Sequence, residues 1–235
     1  MTVRIRRVTT TRAGGVSVAP FDSFNLGDHV GDDPAAVAAN RDRLAGAAGL
    51  PTDHVVWMNQ VHGDHVEIVD VPRAEPFEAT DALVTATPGL ALAVVTADCV
   101  PVLLADARAG VVGAVHAGRV GAANGVVLRT LEAMLALGAH AADVSVLLGP
   151  AVSGPNYEVP EEMAADVEAS LPGSRTRTPS GAPALDLRAG ITRQLADAGV
   201  AAVDVDPRCT VADPTLFSHR RDAPTGRLAS LIWME

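Results

Sequence analysis

Lysine is absent: the 18 Lys and Arg residues of this 235-residue chain are all arginine. A Schiff-base lysine, a cofactor-anchoring lysine and the phosphate-binding lysine of a P-loop are thereby excluded. Cysteine is nearly as scarce, with only Cys99 and Cys209, far apart in the chain. Two such residues cannot build the disulfide framework of a small secreted domain, which points to a reducing compartment. Long apolar runs are missing as well. No stretch reaches the roughly 18 residues of a membrane span, and the opening MTVRIRRVTTTRAGG is charged and lacks an apolar signal-peptide core. The expectation is a cytoplasmic protein with no membrane partner. Positive charge is in deficit, 18 basic against 28 acidic residues for a net charge of −10. That sign repels a phosphate backbone, so broad nucleic-acid binding is not expected, although a local arginine cluster can still hold a small anion.

With 48% hydrophobic and 20% charged residues and no linker-like stretch, residues 1–235 read as a single domain with one large core. The segment His54 to Asp70 alternates apolar and polar residues, breaks at Gly63-Asp64 and resumes, as a hairpin or kinked strand pair does. Asp81 to Asp106 holds two apolar runs, ALVTA and LALAVVTADCVPVLLAD, separated by a Pro88-Gly89 turn and expected to be covered on both faces. Val111 to His116 is another such strand. It hands over at Gly118 to a helix carrying Val127, Leu131, Met134 and Leu135 and stopped by Gly138.

Asp33-Pro34, Pro160 and Asp186 open further helices, the last two with apolar stripes of core type. GRLASLIWME is a final strand, and residues 172–184 read as an extended loop of low order. The pattern predicts an α+β (or α/β) fold with a mixed sheet and flanking helices.

Three strand ends carry borderline or soft metal ligands: His62 in NQVHG, Cys99 in TADCVP and His116 in AVHAG. Imidazole with thiolate suits zinc, and three protein ligands leave a fourth position open. Spacing alone leaves a plainer reading open for each, a small buried cysteine and two hydrogen-bonded histidines. Asp98, next to Cys99, points the opposite way if the strand continues through it, which suits a supporting role. His65, beyond the Gly63-Asp64 turn, is expected to be exposed. Asn25 is either a substrate contact or a residue that shapes its own turn.

These motifs resemble one family along nearly the whole chain: SFNLGDHVGDDP (Ser23 to Pro34), WMNQVHG (Trp57 to Gly63), DALVT (Asp81 to Thr85), TADCVPVLLAD (Thr96 to Asp106), AVHAG (Ala114 to Gly118), GPA (Gly149 to Ala151), YEV (Tyr157 to Val159) and FSHRRDAPTGRLA (Phe217 to Ala229). The family is the multicopper polyphenol oxidase (laccase-like) family, also known for purine nucleoside phosphorylases and peptidoglycan editing factors. The resemblance implies an α+β fold of mixed β-sheets flanked by helices. It implies zinc held by His62, Cys99 and His116, which are also the catalytic set. Substrate contacts are expected at Asn25, Gln60, Arg119 and Arg221. The chain departs from the pattern at Arg119-Val120-Gly121, where the family usually has Trp-Arg-Gly, at Pro155-Asn156 in place of paired cysteines, and at His219 in place of Tyr.

The implied chemistry is phosphorolysis of adenosine, inosine or methylthioadenosine, with deamination of adenosine to inosine. Zinc lowers the pKa of a coordinated water to about 7, which suits the deamination. Phosphate is expected at the glycine-rich turn of Gly118, Gly121 and Gly125, where a helix start offers free N–H groups, aided by Arg119, Arg220 or Arg221. The same glycines also fit a need for close packing. Two alternatives remain: editing of peptidoglycan precursors by a hydrolase, and copper-dependent polyphenol oxidation with Met58 as an axial ligand.

Overall fold

The computed structural model describes residues 2–235. In chain order the strands are β1 (Ile5–Thr9), β2 (Val55–Val56), β3 (Val66–Ile68), β4 (Ala82–Thr85), β5 (Ala91–Thr96) and β6 (Val100–Asp106). They continue with β7 (Val111–Ala117), β8 (Ser145–Leu148), β9 (Arg175–Arg177), β10 (Pro183–Leu185), β11 (Ala202–Val205) and β12 (Leu228–Met234). The helices are α1 (Pro34–Ala48), α2 (Arg119–Ala123), α3 (Val126–Ala136), α4 (Glu161–Ser170), α5 (Leu187–Asp197) and α6 (His219–Asp222). Two mixed sheets dominate, a four-stranded one ordered β1-β12-β5-β2 and a six-stranded one ordered β11-β8-β6-β7-β4-β3. The α+β class expected from the sequence is the one observed.

The continuous apolar runs follow from burial on both faces of each sheet. Along β5, Leu92 and Val94 point into the layer between the sheets, while Ala91, Ala93 and Val95 pack toward Leu44 and Ala45 of α1. Along β6 and β7, Leu103, Ala105, Val112 and Ala114 fill that same inter-sheet layer. Their alternates Val102, Leu104, Val111 and Val115 pack with Leu131, Met134 and Ile191 of α3 and α5. Side chains that alternate with a period of two thus serve two cores, so neither face needs polar residues.

Helix boundaries follow the residues that signalled them. Asp33 accepts from Ala35 N at α1, and Asp186 accepts from Ala189 N at α5. Among the described residues no helix is long and apolar enough to cross a membrane.

Four segments differ from the sequence reading. The His54 to Asp70 segment is not a hairpin, because β2 pairs with β5 in one sheet and β3 with β4 in the other. The second apolar run is likewise two strands: β5 and β6 belong to different sheets, and the chain changes sheet at Ala97-Asp98-Cys99. The helix after His116 is two helices, broken where Gly125 adopts φ 86°. Residues 172–184, expected as a loop, carry the β9–β10 hairpin, with Ala184 opposite Thr176. Its approach is fixed by the Glu168 carboxylate, which accepts from the N–H groups of Gly173 and Arg175.

Leu103 is 1% exposed in the inter-sheet layer. Leu103→Ala is expected to cost about 2–5 kcal/mol, read as a lower urea midpoint at unchanged slope. A loss well under about 1 kcal/mol would place that side chain outside a close-packed layer.

Candidate metal centre

Sheet register brings two of the three candidate ligands together. In the β6–β7 pair Pro101 lies opposite His116 and Val100 opposite Ala117, so Cys99, immediately before β6, borders the end of β7. In the β4–β7 pair Ala82 lies opposite Val115, which sets Asp81 beside His116; His116 N donates to Asp81 O at 2.8 Å.

His62 arrives differently, on the connection between β2 and β3. Gln60 ties that connection to the edge of β5: its Nε2 donates to Val95 O and its Oε1 accepts from Val95 N, both at 2.8 Å. The Asp81 carboxylate then accepts from Val61 N (3.2 Å), His62 N (3.0 Å) and Gly63 N (2.7 Å). His62 is held at φ 61°, a left-handed conformation that a non-glycine residue keeps only when its surroundings dictate it.

Asp81 also holds the third candidate ligand. The His116 Nδ1–H donates to Asp81 Oδ1 at 2.7 Å, which leaves Nε2 of His116 as its free ring nitrogen. Cys99 Sγ lies 3.7 Å from His62 Nε2, and the two imidazole centroids are 4.6 Å apart at 75°. The three ligand atoms lie within 4.8 Å of one another. Donors around a tetrahedral zinc are separated by about 3.5 Å, so the cluster needs little adjustment to take the ion.

The cradle fits a metal in a further way. A Cβ on Gly118 would lie 2.7 Å from His62 Cδ2 and 3.2 Å from Cys99 Sγ, and one on Gly121 would lie 2.6 Å from Gly63 O. These two glycines are therefore required by close approach, and that accounts for them without an anion.

Charge is strongly coupled at this point. Burial pushes the Cys99 thiol up, but His116 and His62 more than reverse this and bring it down to about 6. Burial likewise works against protonation of His116, yet the Cys99 thiolate and Asp81 raise it to about 9. Asp81 is pushed up by burial and brought below its ordinary value by the His116 hydrogen bond and the loop N–H groups. The cluster thus favours a thiolate at neutral pH, the form in which cysteine binds a metal.

A cavity of about 550 Å³ opens onto His62, Cys99 and His116. Its positive charge comes from Arg119, Arg220 and Arg227, and its other titratable side chains include His29, Tyr157 and His219. The Arg220 guanidinium lies 4.9 Å from the Tyr157 ring centroid. Burial and the nearby thiolate raise the Tyr157 phenol, against the pull of Arg119 and Arg220. Thr96 is on the same wall, and its buried hydroxyl has no hydrogen-bond partner.

Of the expected substrate contacts, Gln60 and Arg119 line this cavity. Asn25 and Arg221 do not. Asn25 is fully buried, its Nδ2 donating to Gly27 O and Asp32 Oδ2 and its Oδ1 accepting from Gly27 N and Arg227 N, so it shapes its own turn. Arg221 spends its guanidinium on the carbonyls of Thr210, Val211, Asp213 and Leu216 and on Asp222, which fastens the 210–216 segment. Arg220 and Arg227 line the cavity instead.

Asp98 adopts φ 94°, not an extended strand, and accepts from Thr210 Oγ1 (2.6 Å), Ser218 Oγ (2.7 Å) and Arg220 N (2.7 Å). It anchors the C-terminal segment beside Cys99. His65 is exposed, 3.1 Å from Glu67. Met58 is buried among inter-sheet residues and does not line the cavity. The sequence reading passed over Asp81 as a site residue; its only signal was an acid heading a strand with no other charge.

Gly118→Ala removes no ligand, yet its methyl group would displace the His62 ring. It is expected to reduce zinc per chain while far-UV circular dichroism stays unchanged. Asp81→Asn is expected to weaken zinc binding about 10–100-fold in a competitive chelator titration. Wild-type affinity in both variants would contradict this description of the cluster.

The family model described as multi-copper polyphenol oxidoreductase laccase matches residues 6–235. A Mycobacterium tuberculosis protein named purine nucleoside phosphorylase is 75% identical over 235 residues, covering 100% of this chain and 94% of its own length. A Corynebacterium glutamicum protein of the same name is 58% identical over 232 residues, covering 98% and 94%. Among solved structures, a Neisseria meningitidis protein superposes with a TM-score of 0.88 at 36% identity, covering 100% of this chain and 98% of its own. Matched from residue 6 to its last residue and shared with relatives along nearly their full length, the chain belongs to the multi-copper polyphenol oxidoreductase laccase family.

Proposed function

We propose that the chain is a zinc-dependent purine nucleoside phosphorylase acting on adenosine, inosine and methylthioadenosine, with adenosine deaminase activity at the same centre. The observation that carries the reading is one cavity that sets a His-Cys-His cluster beside three arginines. The names of the relatives support it. At about 550 Å³ the cavity lies within the usual range for small-ligand sites, about 300–1,000 Å³.

His62, Cys99 and His116 would hold the zinc, which when bound supplies a Lewis acid and a source of nucleophile at neutral pH. Asp81 keeps the Nδ1 proton of His116 in place and so fixes which nitrogen faces the cavity. Phosphate falls to Arg119, Arg220 and Arg227, because Gly118 and Gly121 are explained by close packing and the first helix after His116 is only five residues long. Guanidinium groups suit this task, since they stay charged and donate in pairs to phosphate oxygens. Asp98, the one carboxylate on the cavity wall among the described residues, is engaged by Thr210, Ser218 and Arg220 N. Arg220 and Arg227 each commit only Nη1 to backbone carbonyls, those of Glu158 and of Thr225 and Gly226, so their other N–H groups can serve an anion.

Copper redox chemistry would share the His-Cys-His set but finds no axial methionine there among the described residues. Met58 is not on the cavity wall, and the other His-containing cluster among the described residues, Asp106, His140 and Asp143, has no cysteine.

The test is product identification from adenosine with and without phosphate, on the wild type, Cys99→Ala and Cys209→Ala. Adenine release is expected to rise and saturate with phosphate, while inosine formation needs none. Cys99→Ala should lose most of its zinc and its turnover and keep its secondary structure, because two sheets of core remain. Cys209→Ala should keep both. Adenine release indifferent to phosphate would remove the phosphorylase reading, and full zinc and turnover in Cys99→Ala would remove the ligand assignment.

A further inference from the structure

Phosphorolysis asks for something that the metal cluster and the arginines do not supply. A purine departs from C1′ as an anion unless it is protonated as the bond breaks, and neither a guanidinium nor a metal-ligating imidazole is a ready proton donor. Of the four histidines on the cavity wall, His62 and His116 belong to the cluster, which leaves His29 and His219.

The two differ in their support. Both are exposed, and His219 has no carboxylate within ion-pair distance among the described residues. His29 Nδ1 lies 3.6 Å from Asp28 Oδ1. Asp28 is itself fixed by Arg41, whose Nη2 lies 3.1 Å from Asp28 Oδ2. Arg41 in turn donates to Leu26 O from Nε and Nη2 and stacks on the Trp57 ring at 4.1 Å. A series of contacts from the buried Trp57 thus ends on one imidazole at the cavity, through the half-exposed Asp28.

His29 also sits next to the candidate anion site. A Cβ on Gly27 would meet Arg227 Cγ at 2.6 Å and His29 Cε1 at 3.5 Å, so the imidazole and the Arg227 stem lie side by side over that residue. Asp28 thus places a carboxylate beside the Nδ1 edge of the ring. The neighbouring His29 and Arg41, against burial, bring the Asp28 carboxyl down to about 2.

We infer that His29, held by Asp28, is the general acid that protonates the leaving purine. The inference rests on the phosphorylase reading given above. In the step, a phosphate oxygen bonds to C1′ while the C1′–N9 bond breaks and its electron pair passes into the purine ring. The proton on His29 Nε2 moves to purine N7. The proton that hydrogen phosphate sheds on becoming the sugar ester restores the imidazolium, so charge and protons balance.

The test uses a substrate that needs no acid. Zinc-loaded wild type, His29→Gln and Asp28→Asn are assayed with saturating phosphate on inosine and on 7-methylinosine, whose purine is already cationic. His29→Gln is expected to lower kcat about 10²–10⁴-fold on inosine and less than about threefold on 7-methylinosine. Asp28→Asn is expected to show the same split at smaller size. Zinc per chain and circular dichroism should match the wild type in both, and should His29→Gln fail to fold, His29→Asn and Asp28→Asn carry the comparison. Equal losses on the two substrates, or no loss on either, would overturn the role of His29 while the phosphorylase reading stands. Absence of phosphate-dependent base release in the wild type would overturn both.

Discussion

The Asp81 carboxylate has no exposed surface and accepts hydrogen bonds from one imidazole and three consecutive backbone N–H groups. A buried carboxylate without partners would cost several kcal/mol, so its ionised state and the shape of the 61–63 turn depend on each other. The turn places His62, and the same carboxylate orients His116. Both imidazoles of the cluster therefore answer to one side chain. Cys99 completes the set from the opposite flank of β7 and needs only the β6–β7 register to arrive there.

This arrangement lies on the seam between the two sheets. Asp81 and His116 belong to the six-stranded sheet, whereas Gln60 borrows the backbone of Val95 at the end of β5 in the four-stranded one. The chain passes from one sheet to the other at Asp98, whose positive φ and three hydrogen bonds stabilise the crossing beside Cys99. Of the three non-glycine residues with positive φ among the described residues, His62 is a candidate ligand and Asp98 adjoins one, while Ala79 lies two residues before Asp81. A cavity walled from both sheets and the C-terminal segment collects arginines that lie far apart in sequence, Arg119 after β7 and Arg220 and Arg227 before β12.

Much of this was legible from the residues. Apolar runs without alternation mark strands covered on both faces, Asp-Pro and Asp mark helix starts, and the ligand motifs sit at strand ends. What was not legible depends on contacts distant in sequence. The run LALAVVTADCVPVLLAD shows no break in hydrophobicity where it changes sheet, because both sheets bury both faces. Arg220 and Arg221 are neighbours in sequence with opposite fates, decided by the carbonyls of residues 210–216 that claim Arg221. Asn25 is polar in a matched motif, yet its amide is consumed by Gly27, Asp32 and Arg227, the last about two hundred residues away. The hairpin at residues 175–185 was hidden by turn-forming residues that read as disorder until Glu168 capped its approach.

The account stands on one sulfur and two imidazole nitrogens sharing a single ion. X-ray absorption at the zinc edge of the zinc-loaded protein reads that directly. The account predicts one Zn–S distance of about 2.3 Å and two imidazole Zn–N distances of about 2.0–2.1 Å, with a lighter atom in the remaining position. A spectrum described by nitrogen and oxygen neighbours alone, with no sulfur, would contradict it.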